Sequence, residues 1–220
     1  MNNAKKAIFA AIRKALPAPA PAPTSAIATE LLLLQARIET TRPERVSGPP
    51  DEVFLDRVQS PGVAASAERV ASLNDLPAAV MRYAAQHDLA LNIALQPHPD
   101  LEALDWSGCG THDHIGTNET LAVGLALGGI AETGSLVFHS SPSSPTLFAF
   151  LPLHHIVAIS YKNIWPWMED YVAAFAGKPP PRNVNFVTGA SGTTDIEGAL
   201  VRGAHGPGWL HIVVVGAPEQ

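Results

Sequence analysis

Sulfur is scarce in this chain: 220 residues contain one cysteine, Cys109. A single thiol excludes an intrachain disulfide and a cluster held by four cysteines of these residues. Any iron–sulfur electron transfer would therefore need another polypeptide, and a lone cysteine most often acts as a small apolar side chain. Charge is scarce too. Asp, Glu, Lys and Arg make up 15% of the residues, against about 25% in an ordinary soluble protein. Such a surface suits cover by a partner, although an alanine-rich soluble protein would look the same. No apolar run reaches the roughly 18 residues that a membrane helix needs. The N-terminus has no long apolar stretch before a small-residue cleavage site, so the expectation is a cytoplasmic protein without a transmembrane segment.

Permanent positive charge is missing from one long stretch. Between Arg82 and Lys162 there is no Lys or Arg, while seven acids and seven of the nine histidines fall there. An anion bound by this stretch alone would have to be held by backbone N–H groups, hydroxyls or imidazoles; a cation would suit it equally. Four of the fourteen basic residues, Lys5, Lys6, Arg13 and Lys14, sit in the first sixteen positions, leaving a body with ten basic and twenty acidic groups. That balance argues against nucleic-acid binding, which depends on clustered cations that release counterions.

Length and composition point to one α/β domain with an N-terminal helical arm. Residues 1–23 read as an amphipathic helix, with Ile8, Ile12 and Leu16 at four-residue spacing, followed by a semi-rigid proline spacer, Pro17 to Pro23. The helix could touch a membrane or an acidic partner, or pack on its own protein. Residues 24–58 read as a helical N-terminal segment. It has a helix capped by Thr24 or Ser25 and running to about Thr40, whose four consecutive leucines suggest burial on several sides, a break at RPERVSGPP, and a short helix over 51–58. Residues 59–220 read as the α/β domain. A helix ends near His87, and strands are expected over 89–95, 120–125, 135–139, 155–161, 184–188 and 209–215, with helices over 164–176 and 195–202. This alternation predicts a mostly parallel sheet with helices on both faces.

Glycine, hydroxyl and carboxylate residues concentrate in two places, GIAETGS at Gly129 to Ser135 and TGASGTTDIEG followed by GAHGP at Thr188 to Pro207. Each has the grammar of a loop at the carboxyl end of a strand, where small residues let backbone N–H groups approach a ligand. In the first, Glu132 and Thr133 would occupy a turn between Gly129 and Gly134–Ser135. Glu132 is either a ligand-contacting group or a turn carboxylate bonded to neighbouring N–H groups. In the second, Ser191, Thr193 and Thr194 would feed a helix starting at Asp195, whose positive end could hold a carboxylate or a phosphate; N-capping by Thr194 or Asp195 explains the same residues without a ligand. His205 could donate a proton or a hydrogen bond near neutral pH.

These two motifs, with LP-L-HH-I at Leu151 to Ile156 between them and HGP at His205 at the end, occur in an order that resembles the LUD-domain proteins of the lactate-utilisation protein C family. The likeness covers roughly residues 60–216. It implies a fold similar to the NagB, ribose-phosphate isomerase and CoA-transferase group, and a place in oxidation of L-lactate to pyruvate beside iron–sulfur partner proteins, with no cofactor in this chain. It transfers no catalytic residue; the candidates are Glu132, Asp195 and His205. Many relatives carry arginines where this chain has Gly192, Gly208 and the neutral run Pro145 to Phe148. Two other readings stay open. One is a stand-alone acid–base or acyl-transfer enzyme of the similar fold. The other is a metal protein using His112 and His114, which flank Asp113 in GTHDHIGTNET; that segment also reads as a polar surface loop. Trp165, Trp167 and Tyr171 are spaced for packing along one helix face.

Overall fold

The computed structural model describes residues 2–15, 23–37, 46–117, 119–194 and 200–217. The chain divides into two units, residues 1–42 and 43–220. The first holds α1 (Asn2–Ala15) and α2 (Thr24–Ala36). Most of the proline spacer lies outside the described residues. The expected burial of Leu31 to Leu34 is not found, since all four are 52–67% exposed. Four consecutive residues point all the way round a turn of about 3.6 residues, and a unit of two short helices cannot cover every side.

The second unit is built on a six-stranded sheet in the order β1 (Ser66–Val70), β12 (Trp209–Val215), β7 (His154–Ser160), β4 (Leu121–Leu125), β2 (Asn92–Leu95) and β3 (Gly110–His112). Every neighbouring pair is parallel. Parallel strands are buried on both faces and so carry apolar residues on both. Along β12, Leu210, Ile212 and Val214 face one core while Val213 faces the other. On the first side lie α3 (Pro50–Val58), with Phe54 and Val58 fully buried, and a second sheet. On the other side α4 (Leu76–Gln86) inserts Leu76, Val80 and Tyr83. The expected α/β architecture, a parallel sheet with helices on both faces, is the one observed.

The second sheet was not anticipated. It has four strands in the order β8 (Ile164–Trp165), β5 (Gly128–Ile130), β6 (Ser135–His139) and β9 (Val184–Val187). Two of its strands, β5 and β6, take the place of a crossover helix between β4 and β7, and the other two follow β7. Its shortest strands have two and three residues, too short for alternation to register. The helix expected over 164–176 is shortened accordingly to α5 (Met168–Phe175), because Ile164 and Trp165 belong to β8. Trp165 still meets Tyr171 and Phe175 edge-on, with ring centroids 5.5 and 6.1 Å apart, but from a strand rather than the same helix face. Ser72 and Asp75 form a capping box ahead of α4. Among the described residues no helix is long and apolar enough to cross a membrane.

Candidate functional site

The topology of the second sheet decides where the two glycine motifs meet. Both β5 and β9 run antiparallel to β6, so they are parallel to each other. Their carboxyl ends therefore leave the sheet at the edge where β6 begins with Ser135. Hydroxyls tie the two ends together: Thr133 Oγ1 lies 2.7 Å from Ser135 Oγ, which lies 2.6 Å from Thr188 Oγ1. Ser135 is buried, where a hydroxyl without a partner would be costly. Glu132 sits half-buried on the turn between them. Its N–H donates to the Pro166 carbonyl, while its carboxylate has no hydrogen-bond or ion-pair partner among the described residues.

Gly134 adopts φ +71°, and a Cβ there would stand 2.8 Å from Arg57 Cγ. The side chain of Arg57, from α3, thus lies across the turn. Gly129 faces inward, since its Cβ would meet Phe54 and Ile159 at 2.8 and 2.9 Å; it serves packing and does not line the turn.

The second motif departs from its expected conformation. In place of a helix over 195–202, β10 (Gly192–Thr194) pairs antiparallel with β11 (Leu200–Arg202) as a hairpin. Residues 195–199, including Asp195, lie outside the described residues. Thr193 and Thr194 belong to β10, and the last residues of the expected helix, 200–202, belong to β11. The β-branched Thr193, Thr194 and Val201 favour extended backbone, a local signal that competes with the Thr–Asp capping pattern and here prevails over it. Gly189, at φ +76°, brings the start of this loop against Val63. Ser191 anchors the end: its N–H donates to the Pro207 carbonyl at 2.7 Å, its carbonyl accepts from Gly203, and its Oγ accepts the His205 N–H at 3.3 Å. His205 itself is exposed.

The remaining motif joins the same strip. Gly203 packs against Leu153, and both line a cleft of about 270 Å³ with Glu119, Thr120, Leu151 and Pro152. All four motifs therefore follow one another in space, from the Glu132 turn through Thr188 and Ser191 to Gly203 and Leu153. The strip ends at the amino-terminal rim of the main sheet, where His154 is opposite Trp209. The two adjacent histidines that follow Leu153 point to opposite faces, as strand alternation requires. His154 shares a 3.0 Å hydrogen bond with the Tyr83 hydroxyl and stacks on Trp209 at 4.5 Å. Burial, then the nearby His87, holds its pKa below the ordinary value. His155 is wholly buried, neither ring nitrogen has a partner among the described residues, and burial pushes its pKa down to about 3.

His112 and His114 are held in a local backbone contact. His112 Nδ1 bonds the backbone carbonyl of His114 at 2.9 Å, and no group of three or more ligating side chains is found among the described residues. A further cleft, of about 330 Å³, has no counterpart in the sequence motifs. It lies at the carboxyl ends of β2 and β4 and is lined by Gln96, His98, His139, Ser143 and Asn163. Ligands of open α/β sheets bind at that end, but strand order has to be known before the rule can be applied.

Residues 120–215, the stretch holding all four motifs, match the LUD domain. Over that stretch the chain is similar to the LUD-domain family. It is similar to "Lactate utilization protein C" of Anoxybacillus flavithermus, 32% identical over 104 residues, or 46% of this chain and 47% of that protein. A protein of the same name from Geobacillus sp. is 31% identical over 126 residues, 54% of this chain and 52% of the relative. The chain thus spans about half the length of these curated relatives. Among solved structures, a DUF162 family protein from Deinococcus radiodurans shares the fold, with a TM-score of 0.55 and 18% identity over 76% of this chain and 96% of that one.

Proposed function

We propose that this chain acts in lactate utilisation, as a cytoplasmic subunit that assists oxidation of L-lactate to pyruvate while iron–sulfur partner proteins carry the electrons. The observation that carries this reading is the convergence of the four LUD motifs on one strip. Packing alone does not require Glu132 to be half-buried without a partner among the described residues. A carboxylate in that position is suited to accept a hydrogen bond from a substrate hydroxyl or from a partner's N–H. With one cysteine the chain cannot itself hold a four-cysteine cluster, so its contribution is binding and positioning.

The test is complementation in a strain lacking this gene. Glu132→Gln removes the charge and keeps the shape; it should abolish growth on L-lactate while leaving the thermal melt of the purified protein unchanged. Normal growth would remove Glu132 from the working site. Purification of the tagged chain from lactate-grown cells should bring down a cysteine-rich iron–sulfur protein. If the purified chain alone oxidised lactate, the subunit reading would fail.

A further inference from the structure

A second constellation lies on the α4 face of the main sheet, and none of its members belongs to the LUD motifs. Period-two alternation puts Ser66 and Glu68 on the same face of β1. The parallel register sets Ser66 opposite His211 on β12. The imidazole fits between the two β1 side chains: Ser66 Oγ is 2.8 Å from His211 Nδ1, and Glu68 Oε1 is 3.2 Å from His211 Nε2. An ionised carboxylate only accepts, so the ring proton belongs on Nε2 and Nδ1 is left to accept from the Ser66 hydroxyl. Arg82 donates to the other oxygen of Glu68 at 2.6 Å and fixes the carboxylate. Although burial, the largest single influence, pushes the Glu68 pKa up, the Arg82 and His211 contacts together hold it below the carboxylate value. Burial outweighs Glu68 at His211, whose pKa is lowered, so the imidazole is neutral at neutral pH and can accept a proton.

Nucleophile, base and orienting carboxylate are therefore connected in the order that activates a serine. Ser66 is exposed and opens into a cleft of about 280 Å³ whose walls include Arg82, Tyr83 and His87. The Tyr83 ring, 4.8 Å from the His211 ring, gives the cleft an apolar side; Arg82 and His87 give it a side that suits an anionic group. That volume lies just below the range of ligand pockets, about 300–1,000 Å³, and suits a small substrate.

We propose that Ser66, His211 and Glu68 form a hydrolytic triad for small carboxylic esters. Ser66 Oγ attacks the ester carbonyl carbon as its proton passes to His211 Nδ1. The bond from that carbon to the alkoxy oxygen breaks, and the leaving oxygen takes the proton from Nδ1, freeing the alcohol and leaving an acyl-Ser66 ester. Water then attacks the acyl carbon, giving its proton to Nδ1. The acyl–Oγ bond breaks, Oγ recovers the proton, and the carboxylic acid departs. One ester and one water yield one acid and one alcohol. This activity is independent of the lactate reading and of Glu132.

The experiment uses the full chain at neutral pH. Diisopropyl fluorophosphate should modify the folded protein at Ser66, located by peptide mass spectrometry, and leave the denatured chain unmodified. Hydrolysis of p-nitrophenyl acetate should fall at least about 100-fold in Ser66→Ala and in His211→Phe, a loss within the range for general-base and nucleophile removal. Labelling at another residue, or none, overturns the proposal, as does Ser66→Ala hydrolysing the ester at the wild-type rate. The wild-type label is read without any variant, so a folding defect in either substitution cannot hide the answer.

Discussion

Gly189 and Gly177 have nearly the same backbone, φ +76° and +77°, in opposite surroundings. A Cβ on Gly177 would meet nothing within 4 Å, whereas one on Gly189 would stand 1.9 Å from the Val63 carbonyl oxygen and 2.8 Å from its carbon. Replacing either by alanine forces a side chain into left-handed backbone, at about 1 kcal/mol. For Gly177→Ala that is the whole effect, a fall in Tm of roughly 2–4 °C for a domain of this size. Gly189→Ala must also push the loop backbone away from Val63, because real Cβ contacts essentially never come under 3.0 Å. Overpacking of that kind adds about 3 kcal/mol, for a total near 4 kcal/mol and a fall of roughly 8–16 °C. Thermal melts followed by far-UV circular dichroism would measure both. Equal falls in the two variants would refute the close docking of the second motif on the segment that leads into β1. They would leave the hydroxyl contacts at Ser135 as the link between motifs.

Acid should weaken the fold through His155. Its folded pKa of about 3 lies below the ordinary 6.5, so the unfolded chain takes up the proton first. Stability from this residue is complete above the unfolded value and is lost as pH falls toward the folded one, by about 2 kcal/mol at about pH 5. His139, His154 and His211 are shifted the same way, so the readout is a difference: denaturant titrations of His155→Leu should lose about 2 kcal/mol less than wild type over that interval, and parallel losses would contradict the burial of a neutral imidazole. Asp51, buried in α3, accepts from Arg69 at 2.6 Å while Arg69 also donates to the Gly216 carbonyl at 2.7 Å. Because Arg69 is 28% exposed, solvent screens the pair. Asp51→Asn should cost about 1–2 kcal/mol and lower Tm by roughly 2–8 °C; an unchanged melt would show that the ion pair contributes nothing to joining helix and sheet.

The parallel sheet was legible because its long strands advertise themselves: Trp209 to Val215 and the run through Ile156 are too apolar to be anything but doubly covered. The second sheet was not, since Gly128–Ile130 and Ile164–Trp165 become strands by pairing with β6 and β5 rather than by their own periodicity. The hairpin at Gly192 is hidden in the sequence for a related reason, as Thr194–Asp195 is an equally good cap for a helix. At the candidate site, local grammar located Glu132 and Thr133 on a turn, and could not supply the Arg57 side chain, which arrives from about 75 residues away in a helix packed by Phe54. Ser66, Glu68 and His211 carry no motif at all. Two of them are separated from the third by 145 and 143 positions, and the parallel register of β1 and β12 alone makes them neighbours.

That same register has a consequence for synthesis. β12 is the last strand of the main sheet to leave the ribosome, yet its place is between β1 and β7. Until residues 209–215 emerge, β1 has no partner strand in the sheet and β7 keeps an open flank, so the nascent chain presents unpaired strand edges that chaperones must shield. A premature stop anywhere before β12 would leave β1 cut off from the other strands, and such a product should be degraded rather than accumulate as a shortened protein.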